Sequence, residues 1–225
     1  MKRVYSLLLA AALLLAGVQA NAQFSLTANY MYTMERSKTE AGASMAARHG
    51  ANAGFFYNIP LGGSEFWGIQ PGFNASFSLG KETGAEGNED LGAGLTANYT
   101  EVLLNLPVNL TLGYNADADF NVFFFVGPVI QFGVMSQSRI TGNGTMKGFV
   151  IDKPYTFDHY KGDTTNNIAA DRKPFNLYIN AGLGIQIGDY IQLLAGYEYG
   201  FLNYSADAGK TLNRSHIKAG LAIGF

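Results

Sequence analysis

Beyond about residue 23 the chain alternates between apolar and polar positions. Phe24, Leu26, Ala28, Tyr30, Tyr32 and Met34 share one face, and Ser25, Thr27, Asn29 and Thr33 share the other. The same period returns late in the chain. Leu177, Ile179, Ala181, Leu183, Ile185 and Ile187 oppose Asn176, Tyr178, Asn180, Gly182, Gly184 and Gln186. Ile217, Ala219, Leu221, Ile223 and Phe225 oppose His216, Lys218, Gly220, Ala222 and Gly224. A period of two is that of an extended strand with one face in an apolar medium. Eight strands are predicted, over about 24–35, 44–58, 66–80, 95–113, 120–138, 175–188, 190–203 and 213–225. The fifth is the least regular, because Phe123-Phe124-Phe125 places bulk on both faces. A bulge or a buried strand end would account for it.

The connections alternate in length. Those after strands two, four and six are compact: residues 59–65, residues 114–119 and Gly188-Asp189. Those after strands one, three, five and seven are longer and more polar, and the longest covers about 139–174. Short turns at one end and loops at the other predict an all-β fold, an eight-stranded antiparallel up-and-down transmembrane β-barrel of the smallest size class. The turns then face the periplasm and the loops face outward. A ten-stranded barrel would use the 139–174 loop as two more strands, but Lys153-Pro154 in its middle disfavours that, since proline breaks a ladder.

The N-terminus predicts a secretory address. Lys2 and Arg3 precede an apolar stretch from Leu7 to Val18, and Ala20-Asn21-Ala22 fits a small-x-small cleavage site. The expected organisation is a signal peptide over 1–22, cleaved after Ala22, and one barrel domain over 23–225.

Composition changes this picture less than it first suggests. The mean hydropathy of +0.04 is that of a soluble protein, yet alternation gives the same value by pairing every apolar residue with a polar one. Charged residues are 14% of the 225, against roughly 25% in soluble domains. They sit mainly in connections, as in Arg36, Lys38 and Glu40, and none falls mid-strand on the apolar face. A lysine or arginine facing mid-bilayer would cost ~2–4 kcal/mol. Tyr30, Tyr32, Tyr57, Trp67, Phe73, Phe77, Tyr197, Tyr199 and Phe201 share the apolar face, several near strand ends, as an interfacial girdle requires. The environment is therefore outer-membrane lipid, and the localisation the cell outer membrane. A net charge of −2 excludes an electrostatic footprint for nucleic acid. The absence of cysteine excludes disulfides, thiolate metal sites, a cysteine nucleophile and a lipoprotein anchor.

Three stretches resemble a known family. Leu104-Asn105-Leu106-Pro107-Val108-Asn109-Leu110 is similar to a Leu-Glu-Ile-Pro-Leu strand, and Phe125-Val126-Gly127-Pro128-Val129 to a Gly-Pro strand. Gly182-Leu183-Gly184-Ile185 and Tyr197-Glu198-Tyr199-Gly200-Phe201-Leu202-Asn203 resemble a last hairpin carrying Arg-Tyr-x-Tyr-Gly-Leu-x-Asn. These are marks of the PorT-like outer-membrane β-barrel family of Bacteroidetes. Asn105 departs from the pattern's Glu, and Gly196 stands where its Arg is expected. The resemblance implies the barrel fold. It admits a role in an outer-membrane secretion or envelope-assembly complex, as for the founding member.

An eight-stranded barrel has an interior just wide enough for side chains to fill. The expected inward set includes Asn52, Gln70, Asn74, Asn105, Asn109, Gln131, Asn180 and Gln192. Its ionic members are Glu35, Arg48, Glu101, Glu198, Arg214, His216 and Lys218. Arg48 is placed to meet Glu35, and a last hairpin centred on Ala208 sets Glu198 opposite Lys218. Buried charges require partners, so these residues predict a polar plug. The three histidines stand in no recognisable catalytic spacing. His49 falls on the lipid face with Ser44 upstream, His216 points inward near Arg214, and His159 lies in the long loop with Asp158 and Asp163. The expectation is a protein with no enzymatic activity, no cofactor and no metal, acting as a structural or binding module. Lipid-modifying or proteolytic chemistry is the lesser alternative. Phe149, Ile151, Tyr155, Phe157 and Tyr160, with Val150 and Pro154, give the long loop an apolar content. They form a candidate surface for a protein or glycan partner, or else fold onto the barrel mouth. No feature of the sequence sets an oligomeric state.

Overall fold

The computed structural model describes residues 23–40, 42–61, 67–86, 91–117, 120–188 and 190–224. The expected signal peptide, much of the three short turns and Phe225 lie outside the described residues.

Among the described residues eleven strands follow one another: β1 (Gln23–Thr39), β2 (Gly42–Pro60), β3 (Trp67–Thr83), β4 (Leu95–Asp117), β5 (Phe120–Gly142), β6 (Gly144–Met146), β7 (Phe149–Ile151), β8 (Tyr155–Asp158), β9 (Phe175–Ile187), β10 (Ile191–Gly200) and β11 (Thr211–Gly224). Eight of them close a ring in the order β4-β3-β2-β1-β11-β10-β9-β5, and β5 returns to pair with β4. Every neighbouring pair is antiparallel. The polarity of the wall is the reverse of a soluble core. Leu26, Tyr30, Phe73, Phe77, Val108, Phe124, Val126, Leu193 and Leu221 face outward and exposed, while Thr27, Thr33, Asn52, Asn74, Asn105 and Gln131 are buried inside. Only a surrounding apolar solvent makes that arrangement stable.

Three features depart from the sequence reading. First, β1 and β2 run on to Thr39 and Gly42, so the expected longer loop after the first strand is a tight turn. The apolar period fades at Glu35, but the backbone ladder continues through Lys38 opposite Ala43. Second, the long connection is folded. β8 pairs with β5 from Gln137 opposite Asp158 to Ile140 opposite Tyr155, above Phe132, where β9 meets β5 at Phe175. β6 and β7 form a separate two-stranded hairpin, and neither joins the ring as a ninth or tenth spanning strand.

Third, the bulge in β5 lies away from the phenylalanine triplet. Val102 opposes Met135 and Leu103 opposes Gly133, leaving Val134 unpaired. A bulge adds one residue and exchanges the faces of the strand beyond it. Below Val134 the odd positions Phe123, Val129 and Gln131 point inward; above it the even positions Ser136, Ser138 and Ile140 do. The triplet keeps its alternation because Phe123 and Phe125 lie over glycines. A Cβ at Gly184 would fall 2.0 Å from the Phe123 ring, and one at Gly182 2.3 Å from that of Phe125.

Candidate functional site

The lumen is stratified. Its middle is a neutral ladder of amides and hydroxyls contributed by successive strands. Asn29 donates to Asn52 at 3.2 Å, Asn52 to Ser76 at 2.8 Å, and Asn105 to Asn74 at 2.8 Å. Gln131 donates to Asn105 at 2.8 Å, and Tyr178 to Gln131 at 3.0 Å. Amides suit this position because each carries both donor and acceptor, so a closed circle can satisfy itself. The cavity remaining within this layer measures about 40 Å³, room for a few waters.

Above it lies an ionic layer. Arg48 donates to Glu35 Oε1 at 3.0 Å, Arg172 to the same oxygen at 2.8 Å, and Arg214 to Glu35 Oε2 at 3.0 Å. Tyr204 adds a hydrogen bond to Glu35 Oε2. Arg214 donates from Nη2 to Glu101 Oε1 at 3.0 Å, and its Nη1 lies 3.0 Å from Glu101 Oε2 as an ion pair. Arg48 lies 3.6 Å from Glu101, and Tyr160 donates to it at 3.1 Å. Arg48 and Arg172 also face the Tyr99 ring, at 4.6 and 5.5 Å from its centre.

Of the inward ionic residues named from sequence, Glu35, Arg48, Glu101 and Arg214 meet here. Arg172, Tyr160 and Tyr204 arrive from connections, and alternation carries no information about them. Glu198 and Lys218 pair with each other at 2.6 Å and line the small cavity of the middle layer. They are diagonal rather than opposite: His216 faces Glu198 and Gly196 faces Lys218. The last hairpin is centred one residue earlier than Ala208, which corrects the predicted register. His216 accepts no carboxylate. Its Nδ1 stands 2.9 Å from Thr33 Oγ1, and Tyr178 lies against its ring.

Over the ionic layer opens a cavity of about 820 Å³, whose wall includes Glu35, Tyr99, Ser138, Lys147, His159, Asp171 and Arg172. His159 is here corrected as well. Asp158 caps its own turn by accepting from the Tyr160 and Lys161 N–H groups, and Asp163 accepts from Tyr155 at 2.6 Å and from Asn166. Those bonds hold the Asp163 carboxyl at about 2 and leave neither acid facing His159. Instead Ser138 Oγ lies 2.6 Å from His159 Nε2, and Asp171 Oδ1 2.8 Å from His159 Nδ1. The ring is fixed from every side. Its backbone N–H donates to Ser136 O, its carbonyl accepts from Asp171 and Arg172, Tyr99 stacks on it at 5.3 Å, and Phe157 meets it edge-on at 5.1 Å. Burial and the nearby Arg172 charge lower the His159 pKa, outweighing the Asp171 contribution that raises it. Burial raises the Asp171 carboxyl, but the His159 hydrogen bond, His159 charge, Arg172 and Lys147 together hold it well below its usual value. The sequence reading placed His159 with Asp158 and Asp163; the structure places it with Ser138 and Asp171.

The apolar loop residues are mostly unavailable to a partner. Ile151 and Phe157 are buried with Leu91, Leu95, Ala97, Ile140, Met146 and Ile168, and Phe149 and Tyr155 pack against that cluster. Tyr160 turns inward over Gly133, where a Cβ would fall 2.1 Å from its hydroxyl. Val150 stays 67% exposed. His49 is on the outward face, hydrogen-bonded to Tyr30. Among the described residues no cluster of histidine and acidic groups has the form of a metal site.

Solved structures with similar folds include Ail, the attachment invasion locus protein of Yersinia pestis, at 12% identity and TM-score 0.44, over 89% of this chain and 98% of that one. Neisserial surface protein A matches at 10% identity and TM-score 0.48, over 92% and 100%. The outer membrane protease OmpT from Escherichia coli matches at 12% and 0.38, over 91% and 96%. A comparison with curated protein sequences finds no match. The sequence itself matches a family description over residues 16–205, most of its length, and the chain belongs to that family, the outer membrane protein beta-barrel domain.

Proposed function

We propose that this small outer-membrane barrel is closed to conduction and works as a binding cup at its outward, loop-bearing end. The observation that carries the reading is the 820 Å³ cavity standing directly on the ionic layer of Glu35, Glu101, Arg48, Arg172 and Arg214. A cavity of that size suits a small molecule or the end of a larger lipid or glycan. Its wall is mixed: Leu91, Ala97, Ile140, Met146 and Phe157 on one side, charged and hydroxyl groups on the other. A larger protein or glycan partner at the loops would meet Val150 and the polar rim, not Ile151 or Phe157. Planar-bilayer recording of the purified barrel tests the closed floor. The expected trace is quiet, and a steady large conductance overturns the reading.

A further inference from the structure

The cavity wall holds an arrangement whose atoms are ordered for chemistry as well as for binding. A carboxylate only accepts hydrogen bonds, so at 2.8 Å Asp171 places the His159 proton on Nδ1. Nε2 is then an acceptor, and Ser138 Oγ at 2.6 Å is its donor. Serine, imidazole and carboxylate thus stand in the sequence required of a hydroxyl nucleophile, its base and the group that orients the base. We propose that Ser138, His159 and Asp171 form a hydrolytic triad that cleaves acyl esters admitted to the cup. The proposal rests on the cup as a binding site and deepens it.

Three separate segments bring these residues together: Ser138 sits on β5, His159 follows β8, and Asp171 lies in the connection to β9. The Val134 bulge turns Ser138 from the lipid side to the cavity side, and bulges recur beside active sites for this reason. β8 pairs with β5 at Ser138 opposite Phe157, which sets His159 two residues beyond, its N–H on the Ser136 carbonyl. Asp171 is anchored independently. Its N–H donates to the His159 carbonyl, its carbonyl accepts from Ala206, and Lys147 reaches its second oxygen at 3.4 Å.

In the reaction, Ser138 Oγ attacks the acyl carbonyl carbon while its proton passes to His159 Nε2. The tetrahedral intermediate collapses by breaking the acyl–oxygen bond, and the alcohol leaves with that proton. Water then adds to the acyl-serine, giving a proton to His159, and the carboxylic acid departs as the proton returns to Ser138. Asp171 orients the imidazole and stabilises its charged form. Lys147 and Arg172 line the same cavity and supply positive charge toward the developing oxyanion. Leu91, Ala97, Ile140, Met146 and Phe157 favour an apolar acyl group over a polar one. The lowered His159 pKa keeps the base neutral at pH 7.

The test uses the full barrel folded in detergent, with heat-modifiable electrophoretic mobility as the check of folding. A fluorophosphonate probe should label the protein, and Ser138→Ala should abolish labelling while the barrel still folds. p-Nitrophenyl octanoate should be hydrolysed faster than p-nitrophenyl acetate. Asp171→Asn should lower the rate by about 10⁴-fold, the scale at which loss of the orienting carboxylate acts. His49→Ala, on the lipid face, should leave labelling unchanged. Folded protein that neither takes the probe nor hydrolyses either ester above the Ser138→Ala level overturns the triad. Conductance separates the two readings: a quiet barrel without labelling retains the closed cup, and a conducting barrel that labels retains the triad.

Discussion

The two layers of the lumen solve one problem in different ways. The middle layer is mostly amides, and strands alone build it: Asn52, Asn74, Ser76, Asn105 and Gln131 satisfy one another across the ring, and its one ion pair, Glu198–Lys218, is self-contained. The upper layer is charged, and strands cannot complete it. Glu35 needs Arg172 and Tyr204, and Glu101 takes Tyr160, all from connections. A neutral amide left without one partner loses a single hydrogen bond. A carboxylate shared among three guanidiniums takes a partner from all three when it goes. The ladder therefore belongs to the barrel, while the ionic layer fastens the loops to it.

The strongest way to break this contrast is at Glu35. Glu35→Gln should destabilise the folded barrel by ~3–5 kcal/mol, the scale for removing one member of a buried ion cluster. Urea unfolding in lipid bilayers measures it, and protease cleavage between residues 145 and 174 should rise with it. Asn105→Ala strikes the neutral layer and should cost ~1–3 kcal/mol, with the loops still protected. A larger loss from Asn105→Ala than from Glu35→Gln would invert the contrast.

Acid sharpens the same point. The His159 pKa is lowered on folding, so the unfolded loop takes up a proton near pH 6.5 while the folded loop does not. The contribution is complete above about pH 6.5 and is lost as pH falls toward the lowered value, by at most ~1.4 kcal/mol per pH unit. The charges that face the ring are Asp171, Arg172 and Arg48. Protease resistance of the loops should be flat from pH 8 to about 6.5 and decline below it. The smallest effect is expected at Val150, exposed on the β7 hairpin. Val150→Ser should change stability by no more than ~0.5 kcal/mol.

Alternation made the barrel legible, because a spanning strand with lipid on one side must repeat every two residues. It also located Glu35, Arg48, Glu101 and Arg214, since each is a charge on the polar face of such a strand. It failed where the backbone breaks its own period. Unbroken counting along β5 puts Ser136 and Ser138 with Val126 and Ile130 on the lipid side, and one unpaired residue at Val134 reverses them. Asp171 and Arg172 were hidden for another reason. Their positions follow from hydrogen bonds between the connection after β8 and the one after β10, including Ala206 to Asp171 and Lys173 to Tyr204. Such bonds have no periodicity to read. The tight β1–β2 turn was missed because ladder hydrogen bonds persist after the apolar pattern stops.

The charge count of the upper layer bears on the order of assembly. The strands contribute Glu35 and Glu101 with Arg48 and Arg214, two acids and two bases. The long connection brings Arg172 together with its neighbour Asp171, whose Oδ1 lies 4.0 Å from the guanidinium. The four strand charges of this layer balance one another before the connection meets them. A nascent barrel can therefore close around these four charges before the connection brings in its Asp171 and Arg172.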